Sequence, residues 1–403
     1  MFRKKIFFTI VASCFLSVTA CTTNKSSVNC TELQTIEPEN RFSFATNLLK
    51  IVNSFTDKEN FCISPASAQW ALSMTANGAE GNTAKQIYSA LGYPGGAKER
   101  EAFNCLQQKN IETLIGNREE STNAVANSIW ANKDIKLKNN FIEENAHFYD
   151  ATVKNVVFDD ATIEEINKWC SDKTEGKIKS IINEADPKTM LLLVNTLYLK
   201  AQWLHPFQER DTKEATFTKA DGEKIKVQMM QQRRMASLYA DTIIQATKRY
   251  FTGDYSMILV LPQKWVTMER AIEHFVKNYD KDFPKGKSCM LELSMPKFKC
   301  EFGTSLKPIF EKMGITDAFS DKANFSGISK DPLRIDNVIQ KTFIEVNEKG
   351  AEAAAATAIM LVGMSARPME NKSLTLDRPF FYAITDNISG EILFVGKVGN
   401  PNN

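Results

Sequence analysis

The side chains that most often do chemistry are sparse in this sequence. His147, His205 and His274 are the only imidazoles, and each stands far from the others with no second metal ligand at helical spacing. No CxxC pair and no GxSxG elbow occurs, so a structural zinc site and an α/β-type hydrolase are both disfavoured, and neither cofactor nor metal is expected. The unusual stretch is instead residues 348–357, EKGAEAAAAT. By propensity its alanine run is the strongest helix former in the chain. Yet Gly350 precedes it without a clear N-cap, and no polar face accompanies the alanines, which would make a poor amphipathic surface helix. Small side chains suit a segment that must be exposed and also able to enter a sheet, because they lose little entropy on burial and do not clash with packed neighbours. As a strand, Ala351, Ala353, Ala355, Thr357, Ile359 and Leu361 share one face and Glu352, Ala354, Ala356 and Ala358 the other. The first set is small and then apolar, as an inward face requires.

A second reactive residue is Cys21. A basic start, an apolar run from Ile6 to Val18 too short to span a bilayer, and small residues before a cysteine read as a signal peptide over residues 1–20. Val18-Thr19-Ala20-Cys21 resembles a bacterial lipobox, in which the thiol is acylated and the chain cut before it. The alternative is a plain secretory signal. A lipoprotein cysteine carries more than one acyl chain, enough for stable anchoring. The expectation is an exported lipoprotein at the outer membrane or cell surface, otherwise a secreted or periplasmic protein. Residues 21–38 form its polar tether, rich in Thr, Ser and Asn. With Cys14 in the signal and Cys21 lipidated, Cys30, Cys62, Cys105, Cys170, Cys289 and Cys300 remain, and their scatter argues for mostly buried free thiols.

The elements that must position these residues belong to one domain, residues 39–403, with no linker, charge block or internal repeat. Its 43% hydrophobic and 24% charged composition is that of an ordinary globular chain. Removal of Arg3, Lys4 and Lys5 takes the formal charge from +2 to −1, which gives no reason to expect nucleic acid as a partner. Phe44, Leu48, Leu49 and Val52 fall at helical spacing, and residues 67–91 and 163–182 behave similarly. Continuous apolar runs at 190–199 (MLLLVNTLYL), 256–261 (SMILVL) and 392–398 (ILFVGKV) read as buried strands. The class is α+β with large sheets.

Six strings in order, spread over the whole chain after the tether, carry a family resemblance. They are NFCISPAS from Asn60 with its continuation ANGAEGNTAKQI, NKWCSDKTEGKI from Asn167, VNTLYLKAQWLHPF from Val194, MGITDAFSDKANFSGI from Met313, FIEVNEKGAEAAAAT from Phe343 and LTLDRPFFYAI from Leu374. Together they resemble the serpin family. The resemblance implies a large central sheet with further sheets, about eight to nine helices and an exposed reactive loop at about 348–376. It implies a monomeric suicide inhibitor that traps serine peptidases, with papain-like cysteine peptidases as a further candidate class, as acyl-enzymes when its cut loop enters the central sheet. Strand addition of this kind is an established serpin behaviour.

Residue by residue, the resemblance implies a hinge at Glu348, Gly350, Ala351, Ala353, Ala354, Ala355, Ala356 and Thr357. Asn60, Ser64, Ser67 and Asn195 resemble the family's shutter, a polar cluster where the sheet opens; Ser64-Pro65 would equally cap the following helix. Where many members carry a shutter histidine, this chain has Gln340. Trp203 resembles the breach tryptophan at the top of the sheet, and a plain core tryptophan is the other reading. Counting Glu348 as the first residue, the seventeenth is Met364, which makes Met364-Ser365 the reactive bond. An unbranched apolar side chain suits elastase-like, chymotrypsin-like and subtilisin-like pockets. The segment after Ser365 is somewhat long, and Met360, Leu361, Val362 or Arg367 could serve as a second bait. The alternative function is a non-inhibitory serpin, a binding or chaperone-like module, which the lack of bulky, charged or proline residues between Ala351 and Thr357, Glu352 apart, argues against.

Overall fold

The computed structural model describes Cys30 and residues 42–95, 99–115, 121–280, 282–351 and 369–403. Cys21, the hinge residues Ala353, Ala354, Ala355, Ala356 and Thr357, the bond Met364-Ser365 and its neighbours Met360, Leu361, Val362 and Arg367 lie outside the described residues. The chain divides into two units, Met1–Leu33 and Gln34–Asn403, and the architecture below is that of the second.

The first apolar stripe forms α1 (Ser43–Phe55), with Leu48, Leu49 and Val52 fully buried or nearly so. A short strand, β1 (Phe61–Ile63), leads into α2 (Pro65–Ala76). The start of α2 is fixed twice: the Ser64 hydroxyl accepts from the Ser67 N–H at 3.2 Å, and Pro65 fills the first turn, where no donor is missed. The helical span expected over 67–91 is interrupted. After α2 the Gly78 carbonyl accepts from Gly327 N–H at 3.0 Å and Glu80 N–H donates to Asn324 at 2.9 Å, and only then does α3 (Gly81–Ala90) begin. A Cβ on Gly78 would lie 2.1 Å from the Ile328 side chain, so the turn needs glycine there.

Next come α4 (Arg100–Ile115), β2 (Ser121–Asn132), α5 (Asn139–Tyr149), β3 (Thr152–Val156) and α6 (Asp160–Lys173). Helix α6 stops well before Ile182. The Thr174 hydroxyl takes the Ile178 N–H at 3.1 Å, and the Asn167 side-chain carbonyl takes those of Ile181 and Ile182 at 2.7 and 3.2 Å, diverting the chain into an irregular segment. The remaining elements are β4 (Leu191–Gln202), β5 (Lys213–Thr218), β6 (Lys224–Ala240), β7 (Ile244–Tyr250), β8 (Tyr255–Pro262), α7 (Met268–Asn278), β9 (Lys287–Pro296), β10 (Phe298–Ser305), α8 (Lys307–Lys312), β11 (Asn337–Val346), β12 (Gly350–Ala351), β13 (Asn371–Thr375), β14 (Phe380–Asp386) and β15 (Ile392–Val398). The three apolar runs become β4, β8 and β15, each almost wholly buried.

Six strands form one sheet in the order β10-β11-β12-β4-β2-β3. The other sheet follows the path β1-β15-β14-β8-β7-β6-β9-β13, with β5 paired to β6. One face of the six-stranded sheet packs on α6 through Ile166 and Cys170 against Trp130, Leu192, Val194 and Phe343. The fold is α+β, with eight α-helices among the described residues, in accord with the expected class.

The expectation of mostly buried free thiols holds: Cys62, Cys170, Cys289 and Cys300 are buried free thiols, while Cys30 and Cys105 are each disulfide-bonded.

Candidate functional site at the seam between two parallel strands

Strands β4 and β11 run parallel and meet at the middle of the six-stranded sheet. They pair directly from Asn337 opposite Leu192 to Thr342 opposite Leu197. Above that point β12 lies between them, with Ala351 opposite both Val346 of β11 and Ala201 of β4, and Gly350 opposite Gln202. The seam is thus closed at one end and wedged by Gly350 and Ala351 at the other.

The closed end is held by polar side chains reaching across from α2. Gln340 accepts from the Ser64 N–H at 2.9 Å and donates through its amide nitrogen to the Ser64 carbonyl at 2.9 Å and the Ser67 hydroxyl at 3.2 Å. A glutamine makes this bridge because it carries a donor and an acceptor on one group, and unlike an imidazole it does not titrate. Asn195 faces Gln340 in the strand register and donates to Asn127 of β2, while Asn127 donates to the Tyr149 carbonyl at 2.9 Å. Ser64, Ser67, Asn195 and Gln340 are therefore gathered at the seam, all buried. Asn60 is not: its amide donates to the Asn400 carbonyl at 2.6 Å and its oxygen accepts from Gly399 and Asn400 N–H, pinning the chain's last turn. Asn60 lies four residues before Ser64, but the short strand β1 carries it to the far side of the sheet edge.

The wedged end is built around Glu348. Glu348 is 7% exposed; one carboxylate oxygen accepts from the Thr212 hydroxyl at 2.8 Å and the other lies 3.2 Å from the Lys297 ammonium. Burial alone would raise its pKa, but the Thr212 hydroxyl and the Lys297 charge outweigh that and hold it below the usual carboxylate value. Gly350 adopts φ +152°, and a Cβ there would fall 2.2 Å from the Ala201 carbonyl oxygen, so this entry point admits only glycine. Trp203 is buried, stacks on Phe251 at 4.1 Å, and donates its indole N–H to the Asn347 carbonyl at 2.9 Å and its backbone N–H to that of Lys349 at 2.8 Å. It bonds the turn at Asn347 and Lys349 directly.

Three buried polar atoms of β4, Asn195 Oδ1, Thr196 Oγ1 and Tyr198 OH, have no hydrogen-bond partner. Each such atom costs about 1–3 kcal/mol, so the seam as it stands is incompletely satisfied. Asn127, Thr212 and Lys297 were not singled out from sequence. Lys297 precedes Glu348 by fifty-one positions, and the antiparallel pairing of β10 with β11 makes them neighbours.

Comparison with known proteins follows the same line. Residues 39–401 match the sequence model described as serpin (serine protease inhibitor). An alpha-1-antitrypsin homolog of Cyprinus carpio is 32% identical over 333 residues, covering 80% of this chain and 86% of that protein. Serpin B6 of Macaca fascicularis is 32% identical over 376 residues, covering 89% and 98%. Among solved structures, the native state of the thermophilic serpin tengpin aligns with a TM-score of 0.81 at 31% identity, covering 92% of this chain and 98% of that one.

Proposed function

The chain belongs to the serpin family, and from that premise we propose that it is an irreversible, single-use inhibitor of serine peptidases acting as a monomer. The observation that carries this reading is the wedge at the top of the seam: Gly350 and Ala351 already occupy the first two rungs of a strand between β4 and β11. A peptidase serine attacks the Met364 carbonyl, the Met364-Ser365 C–N bond breaks, the proton goes to the departing Ser365 amine, and an ester joins the two proteins. The loop, freed at one end, continues the strand that β12 begins. Residues 352–364 at about 3.3 Å each would carry the attached peptidase roughly 40 Å along the sheet. The unsatisfied atoms of β4 and the small hinge side chains support this, since the inserted strand gains partners and meets few clashes. A binding role without insertion finds no comparable support, because residues 353–357 carry no bulky, charged or proline side chain.

Incubation with a panel of elastase-like, chymotrypsin-like, subtilisin-like and papain-like peptidases should give a complex that survives denaturing gels, with a released fragment beginning at Ser365. Cleavage with every peptidase but no stable complex would establish the non-inhibitory reading.

We further propose export and acylation of Cys21, which the lipobox-like string and the two disulfide-bonded cysteines support. Cys21→Ser should leave the precursor uncut or move the protein from the detergent to the aqueous phase on phase separation. A mature N-terminus elsewhere than Cys21 would overturn the assignment.

A further inference from the structure

Next to Trp203 lies a cluster around a buried arginine with which no carboxylate among the described residues pairs. Arg249, on β7, is only 5% exposed. Its guanidinium lies over Phe207 at 5.1 Å and Trp203 at 5.8 Å, and Nη2 donates to the His205 carbonyl at 2.9 Å. Its Nε is buried with no acceptor. The charges that act on it come from Arg234, and His205 in turn feels Arg234 and Arg249; no carboxylate acts on either. Burial and Arg234 together pull the Arg249 pKa down. Strand pairing explains the crowding: β6 and β7 pair only from Leu238 to Ala240, then part, and the segment from Trp203 to Phe207 enters the gap, bridged to Phe251.

Gln232, on β6, joins the cluster. Its amide nitrogen donates to the Pro206 carbonyl at 2.7 Å and reaches the same His205 carbonyl at 3.4 Å. The shared His205 carbonyl ties the two side chains to one backbone group. These donations fix which end of the amide is which, and Gln232 Oε1 is left buried without a donor. The cluster thus presents an unused guanidinium donor on Arg249, one unused acceptor on Gln232, and the half-buried Arg234 on the same face of β6 as Gln232. A buried charge without an anion is strongly disfavoured, and forked guanidinium donors match tetrahedral oxyanions.

We propose that Arg249, Arg234 and Gln232 form a binding site for hydrogen phosphate beside the hinge. The two guanidinium groups take the anionic oxygens, and the anion's own P–O–H donates to Gln232 Oε1. Sulfate, which has no proton to give at neutral pH, leaves that acceptor unmet and binds less well. The site does not depend on the inhibitory reading.

The test uses the full chain at constant ionic strength set with chloride, with the melting midpoint and titration calorimetry as readouts. Inorganic phosphate should raise the midpoint along a saturable curve, and sulfate should need at least tenfold more anion for the same rise. Arg234→Gln, on a half-buried strand position, should keep the fold and weaken phosphate at least tenfold. Arg249→Lys, which keeps the charge but loses the fork, should bind more weakly as well. A phosphate effect no larger than that of sulfate, or an unchanged phosphate affinity in Arg234→Gln, would overturn the proposal.

Discussion

Cutting the loop near Met364 should raise the melting midpoint by about 10–15 °C, and Ala353→Arg should remove most of that rise. The register of the wedge predicts where each inserted residue would go. Ala351 faces Ala201 and Val346, so continuing antiparallel to both strands brings Ala353 level with Leu199 and Ile344, Ala355 with Leu197 and Thr342, and Thr357 with Asn195 and Gln340. The two extrapolations agree, because Asn195 and Gln340 are already partners across the closed seam. Insertion therefore means parting that pair and placing Thr357 between them, where a hydroxyl could serve Asn195 Oδ1. About thirteen new residues at roughly 1 kcal/mol per ladder hydrogen bond give on the order of 10 kcal/mol. With about 2.1 cal/mol/K of unfolding entropy per residue, a domain of this size converts that into roughly 13 °C. An arginine at position 353 would be forced between Leu199 and Ile344, leaving a charge unpaired in an apolar layer at a cost of several kcal/mol. Slower insertion lets deacylation win, and the variant should be cleaved as a substrate. A thermal melt before and after nicking, with the stoichiometry of inhibition, decides the matter: no rise in the wild-type midpoint would rule out insertion.

How much of this was legible beforehand depended on the range of the interaction. The apolar runs of β4, β8 and β15 and the stripe of α1 carry their own period, and they stand where that period put them. The breaks at Gly78 and Thr174 were not legible, because the first is imposed by a loop some 250 residues away and the second by Asn167 acting on the Ile181 and Ile182 amides. The same limit applies to the site. Ser64 and Ser67 announce a helix start whatever else they do, but that Gln340 bonds both the Ser64 backbone and the Ser67 hydroxyl is a fact of sheet packing. Asn60 shows the converse: a polar residue close in sequence to the cluster spends its hydrogen bonds on the chain terminus. Arg249 gave no signal at all, since nothing in a string of letters marks a buried cation that lacks a carboxylate.

Met364→Arg should redirect inhibition toward trypsin-like peptidases and reduce association with elastase-like and chymotrypsin-like ones by about a hundredfold or more. Position 364 follows from counting seventeen residues from Glu348, and the count has a structural anchor: Glu348 is fixed by Thr212 and Lys297, and the strand begins two residues later. A methionine side chain is apolar and flexible, which suits an apolar primary pocket. An arginine placed there brings a charge that such a pocket leaves unpaired, a loss of about 2–5 kcal/mol, whereas a pocket with a carboxylate at its base gains the pair. Because the hinge is untouched, the stoichiometry of inhibition should remain near one with the new target, which separates a changed bait from a broken trap. Mild oxidation offers an independent check on the wild type. Sulfoxide formation at Met364 would put a polar group into the apolar pocket and slow association with elastase-like targets, while the arginine variant should be indifferent to the same treatment. Should the fragment released from the trapped complex begin elsewhere than Ser365, or the inhibition profile survive Met364→Arg unchanged, the bait must instead be Met360, Leu361, Val362 or Arg367.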